Sequence, residues 1–196
     1  MFARTERLLL RPSWPEDAAE LHQAIADEGI VRNLARAPWP YTVNDAEQFA
    51  TQAHDPLYPA FLLMLRTHGA PRIIGACGIG NDDGSAELGY WIARPYWGLG
   101  FATEASRAVV NIAKAIGHKK LTASHFTDNP ASGNVLRKLG FQNTGETALR
   151  HSNGRGAAMT CALYEKALDG AGTESSARLS PPAFSMRAQM ERLQAA

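Results

Sequence analysis

Leucines at 8, 9 and 10, closed off by Pro12, form the first apolar run and predict a strand over Thr5 to Arg11. The period then lengthens. Ala18, Leu21, Ala24 and Ile25 fall on one face of a helix over Trp14 to Ala26, with Ser13 as N-cap and Pro15 and Glu16 in its first turn. Ala37-Pro38-Trp39-Pro40 breaks the chain, and a second short helix is expected over Asp45 to His54, ended by Pro56 and Pro59. Three strand-like runs follow, Ala60 to Arg66, Arg72 to Gly80 and Ser85 to Ala93. Turn chemistry at Gly69 and Asp82-Asp83-Gly84 separates them, so an antiparallel meander is predicted. Helical spacing returns at Ala102, Ala105, Val109, Ile112, Ala113 and Ile116, with Gly117 as the stop. Leu121 to Thr127 reads as strand, Pro130 to Leu139 as a helix opened by Asn129 and closed by Gly140, and Phe141 to Leu149 and Ala157 to Tyr164 as closing strands.

This alternation predicts an α/β (α+β) domain over residues 1–168. Beyond it, Gly170-Ala171-Gly172-Thr173-Glu174-Ser175-Ser176 has linker composition, and Phe184 to Leu193 reads as a short amphipathic helix. The 169–196 tail is expected to be an appendage that packs on the domain or on a neighbouring subunit, which leaves a homodimer open.

Composition narrows the function classes. Hydrophobic residues are 45% and charged residues 20% of the 196, an ordinary globular balance. A net charge of +1 gives no ground for nucleic-acid binding. No apolar stretch approaches the roughly 20 residues of a membrane helix, and the charged start Met1 to Arg7 lacks a signal-peptide apolar region. Cys77 and Cys161 both sit in strand-like segments and read as buried thiols, which fits a cytoplasmic location. They form neither a disulfide framework nor a zinc set.

Two segments carry chemistry. In the first, a strand ending Gly89-Tyr90-Trp91-Ile92 runs through Arg94-Pro95-Tyr96-Trp97-Gly98-Leu99-Gly100 into the helix that starts Phe101-Ala102-Thr103. Such a turn leaves main-chain N–H groups unpaired at the positive end of a helix dipole, which suits an anion. Taken alone, a Gly-x-Gly pair equally serves packing. No Gly-x4-Gly-Lys-Ser/Thr is present, and the preceding strands are antiparallel, so neither a P-loop nor a dinucleotide-binding unit is supported. The second segment is Asn129-Pro130-Ala131-Ser132-Gly133-Asn134-Val135-Leu136-Arg137-Lys138-Leu139-Gly140-Phe141. Here Asn129 caps a short helix and Ser132 lies in its first turn.

Together these segments resemble the GCN5-related N-acetyltransferase (GNAT) superfamily, and most closely the branch of the ribosomal-protein N-terminal acetyltransferases. The family's Gln/Arg-x-x-Gly-x-Gly/Ala motif corresponds to Trp97-Gly98-Leu99-Gly100-Phe101-Ala102, with Trp97 departing from the consensus. The Asn-x-x-Ser-x-x-Val-Leu-x-x-Leu-Gly-Phe string supplies the second match. The resemblance covers residues 5 to 166. It implies a mixed, mostly antiparallel sheet of about seven strands with four helices, splayed between the fourth strand (85–93) and the fifth (121–127).

It further implies acetyl-CoA as cofactor and a primary amine as acceptor, either a protein N-terminus or a small molecule, reacting directly in a ternary complex. Main chain around Tyr90, Trp91 and Ile92 would then pair with the pantetheine, and residues 98 to 103 with the pyrophosphate. Asn129 would bond the pantetheine, and Asn134, Arg137 or Lys138 would face the nucleotide, unless that helix face is simply solvated. Ser132 stands where the branch protonates the leaving thiolate; its other reading is a helix-start hydroxyl. Glu87 is the carboxylate candidate for a general base, against a structural ion pair. His151 is the imidazole candidate, against an exposed loop histidine. Trp39, Tyr41 and Trp91 are candidates for the acceptor wall or for anchoring loop and core. A non-catalytic acyl-CoA sensor is the competing reading.

Overall fold

The computed structural model describes residues 1–53, 55–67 and 69–168. The expected 169–196 tail and its amphipathic segment lie outside the described residues. Among the described residues, eight strands form one sheet: β1 (Ala3–Arg4), β2 (Leu8–Arg11), β3 (Ala60–Leu65), β4 (Arg72–Asp82), β5 (Ser85–Ile92), β6 (Lys120–Phe126), β7 (Gln142–Ser152) and β8 (Ala157–Ala167). Their spatial order is β1-β2-β3-β4-β5-β6-β8-β7. All neighbours are antiparallel except β5 and β6. Among the described residues the helices are α1 (Ala18–Ile25), α2 (Glu28–Val31), α3 (Val43–Thr51), α4 (Phe101–Ala115) and α5 (Pro130–Lys138).

Helices cover both faces, which is why β3 reads as an unbroken apolar run. Phe61 and Leu63 face the core built with α4 and α5, whereas Leu62 and Met64 face the one built with α1 and α3. Strand β5 divides its side chains the same way. Leu88 and Ile92 belong to the α4 core, with Tyr90 packed against it, while Trp91 packs against the α1–α3 core.

The predicted splay falls between β5 and β6. Their paired register is the single step Glu87↔Thr122, after which the strands separate. From Gly89 to Ile92, β5 is paired on its β4 side and, among the described residues, has no strand partner on the other.

Several expectations change. The sheet has eight strands rather than seven, because two-residue β1 is too short to show a period. Helix α2 is a further element that the apolar pattern does not predict; Asp27 caps it, accepting from the Gly29 amide. Ser13 is not an N-cap: its hydroxyl donates to the Ala50 carbonyl. The entry to α1 is instead a 3-10 turn at Pro15–Asp17, where the Asp17 carboxylate accepts from the Trp14 amide. The last two strands run longer than predicted, to Ser152 and Ala167.

Candidate functional site

The glycine turn has the conformation that its sequence demands. Gly98 (φ 75°) and Gly100 (φ 85°) are left-handed, a region that costs other L-residues about 1–2 kcal/mol. Gly100 is the N-cap of α4 and brings no side chain to it. The first amide of the helix with a partner is that of Glu104, which donates to the Gly100 carbonyl at 3.0 Å. Among the described residues, the N–H groups of Gly98, Leu99, Gly100, Phe101, Ala102 and Thr103 have no protein acceptor. Six free donors at the positive end of a 15-residue helix make an anion cradle.

An arginine that sequence reasoning did not single out clasps this cradle from β1–β2. The Arg7 Nε and Nη2 donate to Glu104 Oε2 at 2.7 and 2.6 Å, and Nη1 donates to the Leu99 carbonyl at 3.0 Å. Its guanidinium lies 4.2 Å over the Phe101 ring. Burial would raise the Glu104 carboxyl, but hydrogen bonds from Thr5 and Arg7 outweigh it and hold that group below its usual range.

Trp97, at the consensus-breaking position, donates its indole N–H to the Ile92 carbonyl at 2.6 Å. It staples the turn to the end of β5 and occupies that carbonyl. Arg94 stacks 4.9 Å over the indole while pairing with Asp27.

Across the splay, Asn129 caps α5, its side-chain oxygen accepting from the Ser132 amide at 3.4 Å. The Ser132 hydroxyl lies 2.8 Å from the Tyr90 phenol, joining the two arms of the opening. Asn134 and Lys138 line the cleft, whereas Arg137 does not; its guanidinium is bonded to the Asn134 side chain and to the Tyr164 hydroxyl.

On the α1–α3 face, both Glu87 oxygens lie 2.9 Å from Arg150 Nη1, and the Ser124 hydroxyl donates to the same carboxylate at 2.9 Å. Arg150 Nη2 donates to Asp82 at 2.7 Å. His151 is exposed within β7, not in a loop, because the strand extends to Ser152. It borders a shallow recess with Glu87 and Arg150 rather than the cleft that holds Ser132.

Tyr41 and Trp91 line the main cleft; Trp39 is 41% exposed and does not. Burial pushes the Tyr41 phenol up to about 12, and its carbonyl accepts from His22 Nε2. The same burial effect lifts the Cys77 thiol to about 12, so neither group ionises near neutrality.

The tip of the β7–β8 hairpin is latched to the segment after α2. The Asn153 amide donates to the Ala35 carbonyl, the Ser152 hydroxyl to the Leu34 carbonyl and Arg155 Nε to the Arg32 carbonyl at 2.6 Å. Arg155 also makes a two-pronged pair with Asp128, the neighbour of Asn129. No composition or spacing signal marks Arg150 or Arg155, since each meets its partners far away in sequence.

These walls enclose one cleft of about 1350 Å3, running from the Gly98–Thr103 cradle past Ser132 to Tyr41, Trp91 and Glu87. Among the described residues, no cluster of three or more His, Cys, Asp or Glu side chains could hold a metal ion, and no helix is long and apolar enough to cross a membrane.

Comparison with known proteins accords with this architecture. The chain is similar to an uncharacterised N-acetyltransferase, p20, of Bacillus licheniformis, at 29% identity over 149 residues, 72% of this chain and 82% of that one. Among solved structures, a ribosomal-protein-S5-alanine acetyltransferase from Vibrio fischeri superposes with a TM-score of 0.72 at 20% identity, covering 86% of this chain and 97% of the other. The microcin C7 self-immunity acetyltransferase, in complex with acetyl-CoA and AMP, gives 0.69 at 19% identity, over 83% and 93%. The model of the acetyltransferase (GNAT) domain matches residues 7–142, more than half of the sequence, so the chain belongs to that family of acyl-transferring enzymes.

Proposed function

We propose that this chain moves the acetyl group of acetyl-CoA onto a primary amine, an α-amine of a protein N-terminus or of a small molecule, by direct attack within a ternary complex. One observation carries the reading: unpartnered main-chain donors of Gly98, Gly100, Phe101, Ala102 and Thr103, at the start of α4, belong to residues that line the same cleft as Ser132. The diphosphate of the cofactor would rest on Gly98 to Thr103, and the pantetheine would add to the open edge of β5 as an extra strand does. The Ile92 carbonyl is taken by Trp97, so this edge works through Gly89 to Trp91. Asn129 Nδ2 would bond the pantetheine, and Lys138 would meet the nucleotide phosphates. That the microcin immunity enzyme was solved with acetyl-CoA supports this choice of cofactor.

Holding both reactants in one cleft supplies much of the rate. Ser132 steadies the sulfur as the C–S bond breaks. Glu87 is committed to Arg150, which favours an acceptor needing little deprotonation: an α-amine of pKa about 8 over a lysine of about 10.4. Tyr41 and Trp91 form the acceptor wall. The buried free thiols of Cys77 and Cys161 support a reducing compartment, the cytoplasm, as its place of work.

Release of free thiol from acetyl-CoA across a panel of amino-acid amides, short peptides and polyamines tests the activity. Gly100→Trp fills the cradle and is expected to abolish coenzyme A binding; unchanged affinity would remove the site assignment. Coenzyme A binding with no thiol released across the panel would assign the chain to acyl-CoA sensing instead.

A further inference from the structure

Ser132 has one hydroxyl proton, and among the described residues the partner of its hydroxyl oxygen is the Tyr90 phenol, 2.8 Å away. The same phenol oxygen lies 3.1 Å from the Ser132 carbonyl. A phenol also has one proton, so the trio has two arrangements. In one, Tyr90 donates to the carbonyl and the serine donates back to Tyr90. In the other, Tyr90 donates to the serine oxygen and the serine proton is free to point into the cleft.

Nothing covalent separates the two arrangements. Without an acceptor in the cleft the first makes one more hydrogen bond and is favoured. A sulfur bearing negative charge beside Ser132 supplies that missing bond to the second, and a charge-assisted bond is about twice as strong as a neutral one. Burial pushes the phenol up to about 12, above the range in which a thiol titrates, so Tyr90 stays a neutral donor throughout.

We propose that Tyr90 is a positioning residue that turns the Ser132 hydroxyl toward the leaving sulfur, switching its own donation from the carbonyl to the serine oxygen as thiolate forms. This rests on the reading of Ser132 as the partner of the departing thiolate. In the overall reaction an N–C bond forms, a C–S bond breaks and the proton lost by nitrogen ends on sulfur. Tyr90 and Ser132 finish the cycle with the protons they started with.

Coenzyme A itself is the probe, so no acceptor has to be known. Its affinity is measured by calorimetry, and the ionisation of its bound thiol from thiolate ultraviolet absorbance against pH, with each free protein as blank. The proteins are wild type, Tyr90→Phe, Ser132→Ala and the double variant. In Tyr90→Phe nothing donates to the serine oxygen, and its hydroxyl turns back to a carbonyl of the preceding turn, as serines at helix starts do. The bound thiol is therefore expected to titrate about one pH unit higher than in wild type, a tenfold change. Tyr90→Phe in the Ser132→Ala background is expected to change nothing further. Cys77, His125 and Lys138 also line this stretch of the cleft, but they are common to all four proteins and cancel in the differences.

Failure of coenzyme A to bind wild type would sink the functional reading as a whole. Binding with equal thiol ionisation in wild type and Tyr90→Phe would overturn the Tyr90 role alone. So would an equal shift from Tyr90→Phe in both backgrounds, which would mark a packing effect.

Discussion

Arg150 reaches from β7, across β8 and β6, to place its Nη1 2.9 Å from both oxygens of Glu87 on β5, while Nη2 holds Asp82 on β4. The pair is partly shielded, with side chains 28% and 19% exposed. Arg150→Ala would leave Glu87 charged and half-desolvated. We expect a loss of about 1–2 kcal/mol, less than a fully buried pair because solvent screens it. Removing both charges with Glu87→Gln and Arg150→Met should recover much of that loss. Urea denaturation of the three variants checks this; an additive double variant would show that the two charges act independently.

Arg11 and Asp17 form a second two-pronged pair, at 2.7 and 2.6 Å, and both residues are under 10% exposed. Burial alone would raise the Asp17 carboxyl, but hydrogen bonds from Arg11 and the Trp14 amide, together with the Arg11 charge, hold it lowered. A carboxyl depressed in the folded state contributes stability above its unfolded pKa of about 3.9. That contribution disappears as pH falls from there through the lower folded value. Asp17→Asn should lower stability at neutral pH and flatten the acid limb of the profile. Denaturation midpoints measured from pH 7 down to pH 3 would show it, and a parallel offset at every pH would exclude this linkage.

Arg7 ties Glu104, the Leu99 carbonyl and the Phe101 ring into one clasp beneath the free amides. Arg7→Ala is expected to weaken coenzyme A binding about tenfold, as the loss of one or two charged hydrogen bonds would, through a loosened Leu99–Gly100 turn. Arg7→Lys should not restore it, since an ammonium cannot serve a carboxylate and a carbonyl in a fixed fork while stacking on a ring. Calorimetry with coenzyme A separates the outcomes, and full affinity in Arg7→Ala would reduce the clasp to a packing detail.

What the sequence disclosed about this site follows the range of the interactions. The Gly98–Gly100 turn and the Asn129 cap are local, so their residue types announce them: left-handed φ calls for glycine, and a helix start calls for Asn. The apolar run Phe61, Leu62, Leu63 and Met64 likewise marks β3 as a strand, and its lack of alternation matches the burial of both its faces. Arg7 meets Glu104 from 97 positions away, and Arg150 meets Glu87 from 63; a charged residue whose partner lies that far off looks like any solvated one. Helix α2 and strand β1, at four and two residues, are too short for their periods to repeat within them. Arg137 and Lys138 show the same limit at finer grain. Both were visible as neighbouring cations on α5, but which of them turns into the cleft depends on Tyr164, a residue of β8.

The hairpin latch governs the acceptor side. Gly154, at the tip between β7 and β8, sits so close to α2 that an added Cβ would lie 2.7 Å from Val31 Cγ1 and 2.9 Å from the Val31 carbonyl oxygen. Neither neighbour can yield, because Val31 is fully buried and its carbonyl belongs to the backbone. Gly154→Val should therefore lift the tip and release the bonds from Ser152, Asn153 and Arg155 to the 32–36 segment, which lines the cleft through Asn33, Leu34, Ala35 and Arg36. The cradle at Gly98 to Thr103 has no contact with this tip among its hydrogen bonds. KM for the amine that turns over best in the thiol assay is thus expected to rise about tenfold, with coenzyme A affinity kept within about twofold. Arg155→Ala removes the Arg32 and Asp128 bonds without the steric clash and should move KM in the same direction. Amide exchange at residues 32–37 should speed up in both variants. A rise in KM without faster exchange there would mean that the hairpin touches the acceptor directly instead of acting through the latched segment.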